Sequence, residues 1–178
     1  RALQRLCILI LQNEEHQIGY GTQQIYGILF DGAWLWEEYV NQLISNVFYH
    51  PMNKANSGAQ KLFAGGVGSI YPDFISKAVK NRVIADAKYK PVDNIGNKDY
   101  LQILAYMLRF DSKKGFYIYP EKGMAADKKL RLISGSTYEN KVNARDDISV
   151  TKAGLLVEQW AENYESFAEL QGYNESSF

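Results

Sequence analysis

Apolar residues recur at helical and at strand spacing along the chain, and this pattern predicts its secondary structure. Residues 1–12 carry apolar side chains three and four positions apart, which predicts a helix. Residues 13–31 are polar and contain glycine, which predicts a connector. Asp31 is a suitable N-cap for a second helix over about 32–49. The apolar stripe of that helix consists of Ala33, Trp36, Val40, Leu43, Ile44 and Val47.

Two neighbouring acidic residues, Glu37 and Glu38, lie inside this second helix. Successive helical residues are rotated by about 100°, so Glu37 falls on the flank of the apolar stripe and Glu38 almost opposite to it. We therefore expect only Glu37 to lean toward the interior of the protein.

The rest of the chain alternates between short apolar runs and polar turns. The segments KGFYIYP and KLRLIS each predict a strand. The other predicted elements are strands over about 59–64, 71–77 and 82–90, a helix over about 98–110 and a C-terminal amphipathic helix over about 151–171. This order predicts one α/β domain with a mixed central sheet flanked by helices.

The overall composition excludes several classes of protein. The chain has 178 residues, of which 46% are hydrophobic, and this is long enough for one well-packed domain. The single cysteine, Cys7, excludes an internal disulfide and cannot hold an iron–sulfur cluster by itself. No apolar run approaches the roughly 20 residues of a membrane span. We therefore expect a cytoplasmic protein that makes no membrane contact.

The charge and the first residue of the chain add two further expectations. Twenty acidic and twenty basic residues give a net charge of zero, so any surface that binds nucleic acid has to be local. The chain begins at Arg1 without a methionine, so we expect a fragment of a longer polypeptide. We divide it into an N-terminal helix and connector at 1–31, a core at 32–134 and a C-terminal loop with a packing helix at 135–178.

The most informative local feature is a pair of charged residues inside an apolar run. Asp86 and Lys88 stand two residues apart in VIADAKY, so on a strand their side chains share one face. Charged residues are rarely buried unless they are paired, bind a metal or serve a function. Taken alone, the pair is compatible with a salt bridge on a solvated sheet face. It is equally compatible with a catalytic site.

Other acids are placed where they could join Asp86 at a metal ion. Asp73 follows Pro72 at the start of a predicted strand and could converge with Asp86 on one Mg²⁺, although it could also be a turn residue. The carbonyl oxygen of Ala87 could add a ligand. Glu37 could bind through a water or hold a second ion, or it could be an ordinary surface charge. Such a site would activate water and stabilise charge at a phosphodiester, with Lys88 assisting.

These residues resemble a known family of nucleases. Pro72-Asp73 followed by Asp86-Ala87-Lys88 is similar to the PD-(D/E)xK signature, and Gln102-Ile-Leu-Ala-Tyr106 is similar to the QxxxY motif of its RecB-like branch. The helix acid Glu37, in WLWEEYV, matches the first motif. Over about residues 25–121, the chain most resembles the nuclease domain of McrC-type subunits from modified-cytosine (5-methylcytosine) restriction systems.

The resemblance implies a fold, an activity and partners. The core at 32–134 would be a restriction-endonuclease-like (PD-(D/E)xK) domain that cleaves double-stranded DNA with Mg²⁺ or Mn²⁺. Asp73, Asp86 and the carbonyl of Ala87 would bind the metal, together with the helix acid Glu37. Lys88 would act on the attacking water. Gln102 and Tyr106 would orient the site or touch DNA, and a GTP-dependent AAA+ motor subunit of the McrB type would be the partner.

Two alternatives to this function stay open at the level of sequence. One is a RecB-like DNA-repair or CRISPR-type exonuclease that acts on DNA ends. The other is an inactive nuclease fold that binds DNA or assembles a complex. Several residues receive no functional assignment. Lys90 could contact phosphate or be solvated, His50 is interpreted as a helix-end residue, and His16 lacks ligand spacing.

Overall fold

The computed structural model describes residues 16–18, 25–27, 31–51, 58–123, 127–136, 141–158 and 160–178. The helix predicted over 1–12 and Cys7 lie outside these residues. Within the predicted connector, two short strands pair in antiparallel fashion, namely β1 (His16–Ile18) and β2 (Ile25–Gly27).

A six-stranded mixed sheet forms the centre of the described structure. In spatial order its strands are β3 (Phe48–Tyr49), β6 (Phe74–Ser76), β7 (Val83–Ala87), β8 (Lys114–Glu121), β10 (Lys141–Leu156) and β9 (Lys128–Ser136). β7, β8 and β10 run parallel, and the remaining neighbours are antiparallel. A separate hairpin pairs β4 (Gln60–Lys61) with β5 (Ser69–Ile70). The mixed α/β class predicted from the sequence is confirmed.

Two helices cover opposite faces of the sheet. On one face, α1 (Gly32–Ile44) packs Trp36 and Val40 against a cluster formed by Phe74, Ala85, Ile118 and Leu155. On the other face, α2 (Asn97–Arg109) packs its buried residues against a second cluster. That cluster includes Ile75, Ile84, Ile103, Tyr106, Met107, Tyr117 and Val150.

The alternation of side chains along β7 decides where its charged residues lie. Ile84 belongs to the cluster under α2, whereas Ala85 belongs to the cluster under α1. Because strand residues alternate between faces, Asp86 lies on the α2 side of the sheet. β7, β8 and β10 are parallel, so their carboxyl ends meet at one edge, and Asp86 lies near that edge.

Helix α1, which was predicted over about 32–49, ends earlier than the sequence pattern predicts. It starts at Gly32 with Asp31 as its N-cap, as expected, but it ends at Ile44. The following residues form a turn, and Phe48–Tyr49 pairs with β6 because aromatic residues suit a strand. Ala33 and Val47, both assigned to the apolar stripe, are exposed. The returning chain runs along the flank of α1, which has consequences for the site.

The C-terminal helix predicted over 151–171 is wrong in its first part. β10 continues to Leu156, and helix α3 (Tyr164–Ser177) begins only after a short linker. Lys152, Ala153, Gly154 and Leu155 are all buried because β10 is an interior strand with both faces covered. An apolar run of this kind has no period that distinguishes a strand from a helix.

The other predicted elements agree with the structure. The helix predicted over 98–110 is α2, displaced by one residue at each end. KGFYIYP and KLRLIS lie in β8 and β9, and the strands predicted over 71–77 and 82–90 contain β6 and β7. Of the strand predicted over 59–64, only β4 forms. Among the described residues, no helix is both long enough and apolar enough to cross a lipid bilayer.

Candidate active site

Asp86 and Lys88 form a buried ion pair at the carboxyl edge of the parallel strands. The Lys88 Nζ atom lies 2.6 Å from Asp86 Oδ2, and Asp86 is only 2% exposed. The pair therefore does not lie on a solvated sheet face. Burial raises the pKa of Asp86, and the Lys88 ammonium opposes that rise. Although burial disfavours its charged form, the pKa of Lys88 is raised by the Asp86 carboxylate.

Helix α2 adds two polar side chains to this pair. Lys88 Nζ donates a hydrogen bond to Gln102 Oε1 at 3.3 Å, and Gln102 Nε2 donates to the Tyr106 hydroxyl at 2.6 Å. Gln102 and Tyr106 are one helical turn apart, so they lie on one face of α2 and point toward the strand. The structure thus joins Asp86, Lys88, Gln102 and Tyr106 in one continuous polar chain.

Asp73 lies beside this chain at the start of β6. Its Oδ2 atom accepts a hydrogen bond from the Ala87 amide nitrogen at 2.9 Å, which ties the carboxylate to the end of β7. Burial raises the pKa of Asp73 well above its usual value, and repulsion from Asp86 and Glu37 adds to the rise. Asp73 and Asp86 are therefore two carboxylates that disfavour each other's charge. A cation between them would relieve this repulsion.

His50 connects Glu37 with the backbone of Asp73, although the sequence pattern indicates only a helix-end residue at this position. His50 Nε2 lies 3.5 Å from Glu37 Oε1, and His50 Nδ1 lies 2.9 Å from the backbone oxygen of Asp73. The expectation that only Glu37 leans inward is wrong, because Glu38 Oε1 also lies 3.8 Å from His50 Nε2. The early end of α1 explains this, since β3 then carries His50 back along the helix flank. A pattern within one helix could not have revealed it.

Asp99, like His50, belongs to the site without having been predicted from the sequence. Its Oδ2 atom accepts from the Gly96 amide at 2.9 Å and pairs with Lys90 Nζ at 2.8 Å, and its Oδ1 atom lies 3.6 Å from Lys88 Nζ. Lys90 is therefore held in an ion pair. The signal was available in the sequence, because an acid three residues after a glycine N-cap is a common helix-start pattern.

Replacing Asp99 by Asn should destabilise the fold by about 1–2 kcal/mol at neutral pH, because charge-assisted hydrogen bonds to Lys90 and Gly96 are weakened. The pKa of Asp99 lies below its ordinary value of 3.8 in the folded state: burial opposes the change, and the bonds to Lys90 and Gly96 outweigh it. Its contribution to stability is therefore present above pH 4 and lost as the pH falls through the folded pKa. Urea denaturation at pH 7 and pH 3 measures the loss of stability in Asp99→Asn and its dependence on pH.

The matched control for this prediction is Asp93→Asn, an exposed carboxylate just ahead of α2. It should change the free energy of unfolding by less than about 0.5 kcal/mol at either pH. Equal effects of the two substitutions at pH 7 would show that Asp99 does not anchor the start of α2.

The described residues hold no ready-made cluster of three or more His, Cys, Asp or Glu side chains spaced to coordinate a metal ion. Lys88 Nζ forms an ion pair with Asp86 Oδ2, and Glu37 Oε1 lies near His50 Nε2. Asp73 and Asp86 are the two buried carboxylates at the strand edge, held there by the Ala87 amide and by Lys88. Two carboxylates are enough for Mg²⁺, which keeps several waters and takes further oxygens from a substrate phosphate.

Comparison with known proteins places the chain in a family. The sequence profile of the family described as "McrBC 5-methylcytosine restriction system component" matches residues 1–120, which is 120 of the 178 residues. The chain belongs to this family. The resemblance to McrC-type subunits is thereby confirmed, and the protein is a component of a restriction system. A comparison with curated proteins found no match.

The part of the chain that matches the McrBC family contains the whole candidate site. All of the predicted site residues lie within 1–120, as do His50 and Asp99. The predicted residues are Glu37, Asp73, Asp86, Ala87, Lys88, Gln102 and Tyr106. Helix α3 and strands β9 and β10 lie beyond the matched part.

Proposed function

We propose that this McrBC-family chain is the DNA-cleaving subunit of a restriction complex, a Mg²⁺- or Mn²⁺-dependent endonuclease with a restriction-endonuclease-like (PD-(D/E)xK) core. The observation that carries the proposal is the buried Asp86–Lys88 pair at the sheet edge. It is flanked by Asp73 and joined to Gln102 and Tyr106 on α2. These are the residues that gave the sequence resemblance, and they meet at one place.

The chemistry of the site fits a divalent cation. Asp73 and Asp86 supply hard oxygen atoms, and their pKa values are raised mainly because both are withdrawn from water. The hydroxyl of Tyr117, which is fully buried on β8 in register with Asp86, has no hydrogen-bond partner among the described residues. Such a buried polar group favours an ion or an ordered water in this region. Glu37 and the carbonyl oxygen of Ala87 are the additional proposed ligands.

The side chains divide the catalytic work between them. A bound divalent ion would neutralise charge on the scissile phosphate and lower the pKa of the attacking water. Lys88, a compact point charge held by Gln102, would orient that water and stabilise the negative charge that develops on the phosphate. Gln102 accepts the hydrogen bond of the ammonium, and Tyr106 holds Gln102 in turn by accepting from its Nε2. Asp73 stays fixed because the Ala87 amide binds it.

Double-stranded DNA is the proposed substrate, and a GTP-dependent AAA+ motor subunit of the McrB type is the proposed partner. Membership of a restriction-system family supports both. The net charge of zero is also consistent with a division of labour, because a nuclease without an overall positive charge gains from a partner that holds the DNA. Cleavage and DNA capture would then belong to different subunits.

A cleavage assay on closed circular plasmid DNA, carried out with the motor subunit and GTP, tests this function. With Mg²⁺ we expect linear or nicked product, and with EDTA we expect none. Product from circular DNA establishes endonuclease activity, because an exonuclease needs an end. Cleavage of linear DNA alone would instead favour the RecB-like exonuclease. DNA binding without cleavage of either substrate would favour the inactive binding or assembly module.

A further inference from the structure

His50 links the acid of helix α1 to the acid at the start of β6. Its ring is almost fully buried, with 5% of the side chain exposed, and each of its nitrogens faces a different partner. Nδ1 lies 2.9 Å from the Asp73 backbone oxygen, and Nε2 lies 3.5 Å from Glu37 Oε1.

The contact with Asp73 fixes the orientation of the ring. A backbone carbonyl oxygen only accepts hydrogen bonds, so Nδ1 must carry the hydrogen in this contact. The ring also packs against Phe74, with centroids 5.1 Å apart and planes inclined by 33°. Both the plane of the ring and its rotation are therefore determined. Nε2 consequently points at the carboxylates of α1, and it can hold a carboxylate only as a second N–H donor, that is, as part of the protonated ring.

We propose that His50 is a positioning residue of the centre. It holds the Glu37 carboxylate and the Asp73 backbone at a fixed separation, so that Glu37 and Asp73 can bind the same ion. The inference rests on the proposed function. The burial of two polar nitrogens supports it, because a ring needed for packing alone would not require them.

Distance distinguishes Glu37 from its neighbour Glu38 as the residue through which His50 would act. Glu37 also contributes to raising the pKa of Asp73, after burial and Asp86. Both carboxylates lie near His50 Nε2, with Glu37 Oε1 at 3.5 Å and Glu38 Oε1 at 3.8 Å. Glu38 therefore supplies a control, because it is the more distant of the two carboxylates and is not a proposed ligand.

The test measures Mg²⁺ or Mn²⁺ affinity by calorimetry, with thermal melting as the check on folding. His50→Phe keeps a ring against Phe74 and removes both nitrogens, so it should fold normally and bind the ion about ten- to a hundredfold more weakly. His50→Asn offers an amide nitrogen near the position of Nδ1, so it should recover part of that loss. Tyr49→Phe, an exposed neighbouring residue, should leave the affinity unchanged.

A double-mutant comparison asks whether His50 acts through Glu37. If it does, Glu37→Gln combined with His50→Phe should weaken metal binding no more than the stronger single change. Glu38→Gln should leave metal binding unchanged by itself, so its combination with His50→Phe should equal His50→Phe alone.

The outcomes separate this inference from the proposed function. If Asp73→Ala abolishes metal binding while His50→Phe binds like the wild type, the positioning role is wrong and the nuclease centre stands. Additive losses for Glu37 and His50, or an Asn variant as weak as the Phe variant, would equally overturn it. If the wild type binds no ion, even with a non-cleavable DNA duplex present, both the inference and the proposed function fail.

Discussion

Asp86→Asn should reduce DNA cleavage by on the order of a thousandfold or more while the protein remains folded. The substitution removes one of the two buried carboxylates that are proposed to bind the ion directly. Folding should survive because burial already raises the pKa of Asp86 toward the neutral form. Lys88 also keeps Gln102 and Asp99 as neighbours. Plasmid cleavage with the motor subunit and a thermal melt measure the two properties.

Asp147→Asn provides the matched control for this substitution. Asp147 is a carboxylate in β10 that pairs with Arg145 and Lys113 at a partly exposed position, so it makes ion pairs without belonging to the site. We expect cleavage within about twofold of the wild type, since surface ion pairs contribute little. An Asp86→Asn variant that cuts within tenfold of the wild type would remove Asp86 from the mechanism.

Lys88→Met should separate metal binding from cleavage. Methionine matches the length of the lysine side chain but carries no charge, so we expect cleavage to fall by about a hundred- to ten-thousandfold. Metal affinity should stay within about fivefold of the wild type. Lys88 Nζ lies 2.6 Å from Asp86 Oδ2, so an entering cation competes with the ammonium for this carboxylate. Methionine removes the competitor, which favours metal binding, but it also lets the pKa of Asp86 rise further, which disfavours it. The two effects on metal affinity offset each other.

The pattern across the two variants is the informative result. Asp86→Asn is expected to lose both cleavage and metal binding, whereas Lys88→Met is expected to lose cleavage alone. Lys122→Met, at an exposed lysine beyond β8, should change neither. If Lys88→Met lost the metal as completely as Asp86→Asn, the lysine would have to act by shaping the metal site. If it cut like the wild type, its catalytic role would be excluded.

Local patterns were enough to predict the centre of the site. The two-residue period of a strand placed Asp86 and Lys88 on one face, and the four-residue spacing of a helix placed Gln102 near Tyr106; the distances bear out both placements. The boundaries of α2 followed from equally local signals. These residues are close because of geometry within one element or between adjacent elements.

Contacts between distant segments could not be predicted in the same way. His50 meets Glu37 only because α1 ends at Ile44 and β3 pairs with β6, and that pairing depends on tertiary structure. The pattern predicts a helix for the last residues of β10, 151–156, because burial on both faces removes the alternation that marks a strand. The sequence thus predicted residues held by local periodicity, and it missed residues brought together by strand pairing.

Calorimetric titration of Mg²⁺ or Mn²⁺ into the wild type, Asp73→Ala and Asp86→Ala, with and without a non-cleavable DNA duplex, tests the central claim most directly. We predict saturable binding to the wild type and its loss in both variants, which would place the two carboxylates on one ion. Absence of binding to the wild type at millimolar concentrations, even with DNA present, would contradict a metal-dependent nuclease centre.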